Sequence, residues 1–426
     1  MALRTNQVAP AIFMAIFLAS HSDAADWTQF RGSNHDGTTP EKISTHWPEA
    51  GLHPLWTVPL KDGFSAISVG GGEAFTLVTR EVDGADQEVC VALDANSGKE
   101  LWAEPLGIAQ YDGGGNKGTE DNNGGDGPRS TPSYDNGKVY TYSSRMVLKC
   151  LDAKTGRQIW AHNILKEHAG HNIHWESAAS PLVEGELVYV AGGGPGQALL
   201  AFDKNDGHVV WKGESDLMTQ STPIATTILG QRQIIYYTQS GLVAVAPKTG
   251  MVLWRYPYRY STAAAISPVV YKDMVYVSEG YGVGSSACRI TKSGDGFTAA
   301  RVWFQPANVI VSHWSTPVCA DGYLYGIFGQ AKFGRAPLEC VEMATGKVMW
   351  SHDGFGPGGC TWVDGHVLVL SDAGDLVLVK AKPQAYTEVA RSHVLSGKCW
   401  NYASISHGRI YARSTREGVS VDVSGK

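Results

Sequence analysis

Charge is scarce in this chain. Charged residues are 18% of its 426 positions, against the roughly 25% usual for a soluble domain. The formal net charge is −6, and lysine and arginine never run together for long. The electrostatic footprint of nucleic-acid binding is therefore missing. No C-x-x-C pair occurs, and the seven cysteines are an odd number spread from Cys90 to Cys399. That is neither a zinc pattern nor a disulfide scaffold. Cys90, Cys150 and Cys340 lie in apolar strand segments and read as buried free thiols, while one or two disulfides stay open to the set as a whole. No apolar run is long enough to span a bilayer as a helix. The most apolar stretch, residues 8–19, follows Arg4 and precedes Ser22 and Ala24, small residues suited to the −3 and −1 positions of a cleavage site. Residues 1–24 thus read as a secretory signal peptide, and 25–426 as one exported domain, periplasmic or secreted. No cysteine precedes Cys90, so no lipid anchor is expected. The chain reads as a monomer.

Glycine and aromatics are plentiful: 50 Gly, 13 Trp and 18 Tyr. They suit short strands joined by tight turns. One motif recurs, A-x-D-x-x-x-G-x-x-x-W. It runs from Ala92 to Trp102, with Asp94 and Gly98, and returns from Cys150 to Trp160 and from Ala201 to Trp211. Ala244 to Trp254 keeps Gly250 but has Ala246 for the acid; Cys340 to Trp350 has Glu342 and Gly346; a looser copy ends at Trp303. A repeat of roughly 50 residues marks a propeller or solenoid. Before each copy a small residue, often followed by proline, opens an apolar run: Thr131-Pro132, Ser180-Pro181, Thr222-Pro223, Ser267-Pro268, Thr316-Pro317. Turn pairs follow, such as Asn136-Gly137, Glu184-Gly185, Asp321-Gly322, Asp364-Gly365 and His407-Gly408. Each unit reads as four strands, A to D. The motif glycine supplies a positive φ at the C–D turn, its acid caps that turn, and its tryptophan covers the next sheet.

Strand A opens near Ala66, Thr131, Ser180, Thr222, Ser267, Thr316, Cys360 and Ser404. The fold class is therefore all-β, an eight-bladed β-propeller of four-stranded antiparallel blades. The last unit lacks a strand D, while Leu55-Trp56-Thr57-Val58 has no unit of its own. Closure follows: the N-terminal strand completes the last blade and leaves no open edge.

The repeat resembles the tryptophan-docking motif of quinoprotein (PQQ) dehydrogenases and of BamB-like outer-membrane-assembly propellers. The opening Asp26-Trp27-Thr28-Gln29-Phe30-Arg31-Gly32, with Gly37 after it, is similar to the W-x-Q-F-R-G start of a group of secreted bacterial PQQ-like propeller proteins. The resemblance covers the whole mature chain and is specific for fold; this fold hosts both enzymes and scaffolds. PQQ and Ca²⁺ are the cofactors it implies. The adjacent cysteine pair of those dehydrogenases is missing, as is any C-x-x-C-H haem motif.

In a propeller the D-to-A connections gather on one face around the channel. Here they carry Arg129, Trp175, Glu176, Gln220, His313, Trp314, Trp400 and Asn401. Converging, these form a polar funnel with aromatic walls, suited to a small polar ligand, a sugar or a quinone, or simply a mutually hydrogen-bonded wall. Arg129 and Glu176 are the pair a quinone would use, as polariser and base, and Glu176 with Asn401 the nearest approach to a calcium set. His168, His171 and His174 recur every three residues, and a solvated loop is the expected reading over a metal site. Residues 107–127, rich in Gly, Asn and Asp, read as a lid or insertion lacking the closing Glu of a calcium loop. Gly192 to Gly196 reads as a hairpin turn. The recurring tryptophans are structural. No compact catalytic constellation and no G-x-S-x-G turn occurs. The expected function is a binding or scaffold module for a protein or polysaccharide partner; the alternative is a PQQ-dependent oxidoreductase of an alcohol or sugar.

Overall fold

The computed structural model describes residues 1, 25–111, 127–294, 296–307, 309–329 and 336–425. Residues 2–24, expected above to be a signal peptide, and most of the 107–127 insertion, with Asp121, Asn123 and Asp126, lie outside them. The described strands form eight sheets. Blades 1 to 7 span 68–108, 133–163, 182–213, 224–257, 269–306, 318–352 and 359–393, each an antiparallel A-B-C-D sheet, to which Thr38–Thr39 adds a short parallel strand in blade 7. Blade 8 combines Ser404–Ser406, Arg409–Arg413 and Glu417–Asp422 with the N-terminal strand Pro54–Pro59, which pairs antiparallel with Glu417–Asp422. Most turn pairs stand where the sequence puts them. Asn136, Asp321, Asp364 and His407 take positive φ with the glycines after them, the mirror-image turn that a hairpin's twist favours. In blade 3 the turn is Gly185-Glu186, one residue later than expected, because Glu184 still belongs to strand A.

The blades are joined by one repeated contact. The glycines at the C–D turns hold φ near +70°, and a Cβ on Gly98, Gly156 or Gly207 would lie 2.7 Å from the ring of Trp56, Trp102 or Trp160. Each indole therefore lies flat on the bare backbone of the next blade. Its Nε1 donates to the carbonyl just after the motif acid: Trp56 to Ala95 at 3.0 Å, Trp102 to Ala153 at 2.7 Å, Trp303 to Met343 at 2.8 Å. The acid holds the turn in turn. Asp94 Oδ1 accepts from Ser97 N and Oγ, each at 2.8 Å, and these bonds hold the Asp94 carboxyl below its usual range. Trp254 departs from the rule. Blade 5 has Ala299 in place of the motif glycine and a long C–D hairpin, Gly284–Ser293 with Gly296–Pro306, and Trp254 donates to Gln233 of its own blade.

At four junctions the Ser/Thr before strand A does more than open it. Its hydroxyl accepts a backbone N–H of the preceding blade: Ala66 to Thr131 at 3.1 Å, Thr131 to Ser180 at 2.9 Å, Ser180 to Thr222 at 2.9 Å, Ser267 to Thr316 at 3.0 Å. Ser267 Oγ donates in the other sense, to the Thr222 carbonyl at 2.8 Å. A belt of inter-blade hydrogen bonds so lines the channel. At the blade 8 to blade 1 seam, Arg413 is fully buried and gives its donors to Leu77, Leu60, Asp62 and Ser414 carbonyls and to Thr76 Oγ1. Burial lowers its pKa to about 10. All seven cysteines are free thiols, so no disulfide forms; six are buried, including Cys90, Cys150 and Cys340.

Trp56→Ala should cost about 3–5 kcal/mol, as for a buried large-to-small change, and Gly98→Ala should also destabilise, since its Cβ meets the same ring. Urea unfolding of both single variants and the double checks this: a shared contact predicts a double-mutant cost well below the sum.

Candidate functional site

The N-terminal segment forms the floor of the channel. Trp27 and Thr28 carbonyls accept the N–H groups of Val69 and Tyr134, in strands A of blades 1 and 2, at 2.8 and 2.7 Å. The Gln29 amide pairs with both backbone groups of Val183 in blade 3, at 3.1 and 3.2 Å. Arg31 is buried and reaches Thr316 and Pro317 carbonyls at the start of blade 6, each at 2.9 Å. His35 Nδ1 faces Ala225 O in blade 4 at 3.4 Å, and Gly37 O accepts from Trp362 N in blade 7 at 2.8 Å. Gly37 and Gly32 hold φ near +78°, bending the segment so that successive residues address different blades. The W-x-Q-F-R-G motif is thus a plug, each polar member spent on an inner strand. Beside it, between blades 4, 5 and 6, lies a cavity of about 260 Å³ lined by Arg31, Asn34, His35, Arg232, Val269 and Cys319 among others.

At the other end of strands A, the D-to-A connections meet. Arg129 Nη1 donates to the Trp175 carbonyl, and its guanidinium lies 5.4 Å from the centre of the Tyr111 ring. Tyr111 donates to Glu88, a buried carboxyl that also accepts Ser144 N at 2.9 Å; burial raises its pKa. Trp175 and Glu176 both take positive φ, 63° and 57°, a strained turn for side chains of this size. That turn buries the Glu176 carboxylate 3.8 Å from Arg145. Gln220 bridges two connections, donating to His174 O at 3.1 Å and accepting from Ala264 N at 3.3 Å.

Aromatic rings continue the rim. Trp175 is 4.4 Å from His174 and stacks 6.1 Å from Tyr281; Tyr281 meets His313 edge-on at 4.9 Å. His313 touches Trp314, Trp314 stacks on Trp400 at 4.8 Å, and Trp400 stacks on Phe64 at 5.4 Å, with Lys398 Nζ 4.7 Å over the Trp400 ring. Phe64 N donates to Pro128 O, next to Arg129. The contacts run around the channel from Arg129 back to Pro128. Asn401 differs: it is buried and donates to Arg413 O at 3.1 Å, a contact within blade 8.

Seven of the eight expected residues therefore join the rim. Asn401 lies behind it, bonded to a different blade from the Glu176–Arg145 pair. Four contributors were not expected. Phe64 holds the matching position before strand A of blade 1, so the same positional rule finds it. Tyr111 and Lys398 are offset along their connections. Tyr281 sits in a B–C turn, which that rule never visits. The histidine loop is also revised: His171 and His174 are exposed, but His168 is buried beside Phe202. The ends of the channel are coupled through Tyr402. Its hydroxyl bonds Trp314 O and Thr316 N, and its ring meets Phe30 at 5.4 Å and the Arg31 guanidinium at 5.7 Å.

A quinone with calcium does not fit these residues. The faces of Trp314 and Trp400 are used on each other and on Phe64, and the axis beneath is filled by Tyr402, Phe30 and Arg31. Calcium takes six to eight oxygens, and Glu176 and Asn401, its nearest approach in the sequence, are set apart, Glu176 beside Arg145 of blade 2 and Asn401 bonded to the Arg413 carbonyl of blade 8.

The fold and its docking contacts define a closed eight-bladed propeller built from quinoprotein-type repeats. The chain belongs to the family described as outer membrane protein assembly factor BamB, whose model matches residues 85–352. No curated protein matches it. Among solved structures, it resembles BamB from Moraxella catarrhalis at 15% identity and a TM-score of 0.58, covering 87% of this chain and 97% of that one. It also resembles the quinohemoprotein alcohol dehydrogenase of Comamonas testosteroni, at 14% identity and a TM-score of 0.64, over 94% and 81% of the two chains. The computationally designed Ika8 protein matches at 12% and 0.57, over 88% of this chain and all of that one. At such identities the likeness is one of fold.

His313 provides a pH test of the rim. Burial lowers its pKa to about 4. The unfolded chain binds that proton more readily, so the contribution is complete above the ordinary value near 6.5 and is lost as pH falls towards 4. The full loss is about 3 kcal/mol. Melting between pH 7 and 4 should fall less steeply in His313→Asn than in wild type.

Proposed function

We propose that this chain is an exported, non-catalytic binding module that holds a protein partner on the rim formed by its D-to-A connections. One observation carries the reading: Trp175, Tyr281, Trp314 and Trp400, flanked by Arg129 and Lys398, form a continuous half-buried surface around one end of a plugged channel. Tryptophan, tyrosine and arginine are the residues that anchor protein interfaces, since they bury much area at little entropic cost. The rim is mutually packed, so it presents a surface rather than enclosing a small molecule. The plug supports the same reading, because a filled axis leaves no passage for substrate. Family membership agrees with a scaffold role. Export rests on the signal-like residues 1–24. No helix among the described residues is long and apolar enough to cross a membrane.

The test is in-cell photocrosslinking from rim positions, followed by affinity measurement with the captured protein. Trp175→Ala combined with Trp400→Ala should weaken binding at least 30-fold, the effect of losing about 2 kcal/mol. Leu101→Ser, on an exposed strand D, should leave it unchanged. Binding indifferent to the rim variants, or rim-dependent retention on a polysaccharide column alone, contradicts the protein partner. A saturable melting shift with PQQ and Ca²⁺, abolished by Arg129→Ala, would restore the oxidoreductase reading.

A further inference from the structure

We propose that His162, Glu167 and His168 bind a divalent transition-metal ion, of which zinc is the prime case, at the outer edge of blade 2. The three side chains place their ligand atoms within 4.8 Å of one another. His162 is the penultimate residue of the strand Gln158–Asn163, the short helix Ile164–Glu167 follows, and His168 is its C-cap. The turn of helix brings Glu167 back over the strand end.

The hydrogen bonding singles this cluster out. Nε2 of His162 lies 2.8 Å from the Gly207 carbonyl, and Nδ1 of His168 lies 3.2 Å from Gln197 Oε1. Both partners are carbonyl oxygens, which only accept, so those ring nitrogens carry the hydrogens. The nitrogens left for a metal ion to take up are then Nδ1 of His162 and Nε2 of His168. Metal-binding histidines are held this way, the far ring nitrogen donating to a carbonyl or carboxylate. Nδ1 of His162 stands 2.6 Å from Glu167 Oε2, the separation of a nitrogen and a carboxylate sharing a proton. A metal ion would displace that proton, draw the two ligand atoms apart to roughly the 3.3 Å edge of a tetrahedron, and take up the third group, His168. Glu167 Oε1 is already fixed by Asn163 N at 2.8 Å, which leaves Oε2 for a single bond to metal. Phe202 orients both rings, stacking on His162 at 4.8 Å and meeting His168 edge-on at 5.8 Å.

Two imidazoles and one carboxylate suit zinc, nickel or copper rather than calcium or magnesium. Glu167 is exposed and His162 partly so, so a fourth position opens to water. The ion would pin the end of strand D in blade 2 to the connection that runs on to Trp175 and Glu176. The other comparable cluster among the described residues, Asp203 with Asp206 and His208, is accounted for by its turn, where Asp203 caps backbone N–H groups and Asp206 bonds His208.

The test is isothermal titration of the EDTA-treated chain with Zn²⁺, alongside visible absorption with Co²⁺. One Zn²⁺ per chain is expected, together with cobalt bands of a four-coordinate nitrogen–oxygen site. Glu167→Gln and His162→Gln should each weaken binding at least tenfold, and His208→Ala should leave it unchanged. Glu167→Gln keeps the fold, because its amide oxygen still accepts from Asn163 N. No saturable binding, with His162 seen by NMR to carry two ring protons, leaves an imidazolium–carboxylate pair and overturns the proposal. Equal affinity in wild type and both site variants overturns it as well.

Discussion

The structure depends on an indole lying flat on a glycine. A four-stranded sheet of this kind cannot cover its own faces, and the regular blades each lend the next one tryptophan. The contact has three parts: a bare glycine backbone, a carbonyl to accept the indole N–H, and an acid that fixes the turn presenting both. Removing any part exposes apolar surface on two blades at once. That interdependence makes the repeat a ring rather than a string of hairpins.

A ring still needs its ends joined, and here residues 25–60 do this in four ways. Residues 27–37 plug the channel, bonding strands A in six blades. Next, Thr38-Thr39 pairs parallel with Trp362-Val363 of blade 7, and Glu41 accepts the N–H groups of His407 and Gly408 in blade 8. Ile43, Trp47 and Leu52 then fill the seam between blades 7 and 8, where strand D, Glu388–His393, carries no tryptophan. Finally, Pro54–Pro59 becomes the outer strand of blade 8 and seats Trp56 on blade 1. The missing docking tryptophan is replaced by the N-terminal segment. Arg31 and Arg413 are buried, and both give their N–H groups to backbone carbonyls of other parts of the ring. Such groups are costly if left unpaired, so they make partial assembly unfavourable.

The blades were legible because their signal is local and repeated. An acid, a glycine and a tryptophan at fixed spacing encode one turn and one contact, and the copies reinforce each other. The rim was legible in part, because a simple positional rule names the connections that face the channel. It missed Tyr281, which reaches the rim from a B–C turn, and it included Asn401, which turns into blade 8. Both outcomes depend on side-chain direction in irregular backbone. The plug was not legible. Gln29 and Arg31 bond backbone groups of blades 3 and 6, more than 150 and 280 residues away, and no local pattern encodes such partners. His168 was misplaced for a related reason: the spacing of three histidines says nothing of Phe202, which draws only one of them inward.

The central claim is that the N-terminal segment is an inner wall shared by separate blades. Hydrogen exchange tests it most directly, read at the amides of Val69, Tyr134 and Trp362, which donate to Trp27, Thr28 and Gly37 carbonyls. A chain lacking residues 25–37 should lose protection at all three positions together, in blades 1, 2 and 7. Protection unchanged there, or lost in a single blade, would contradict the account.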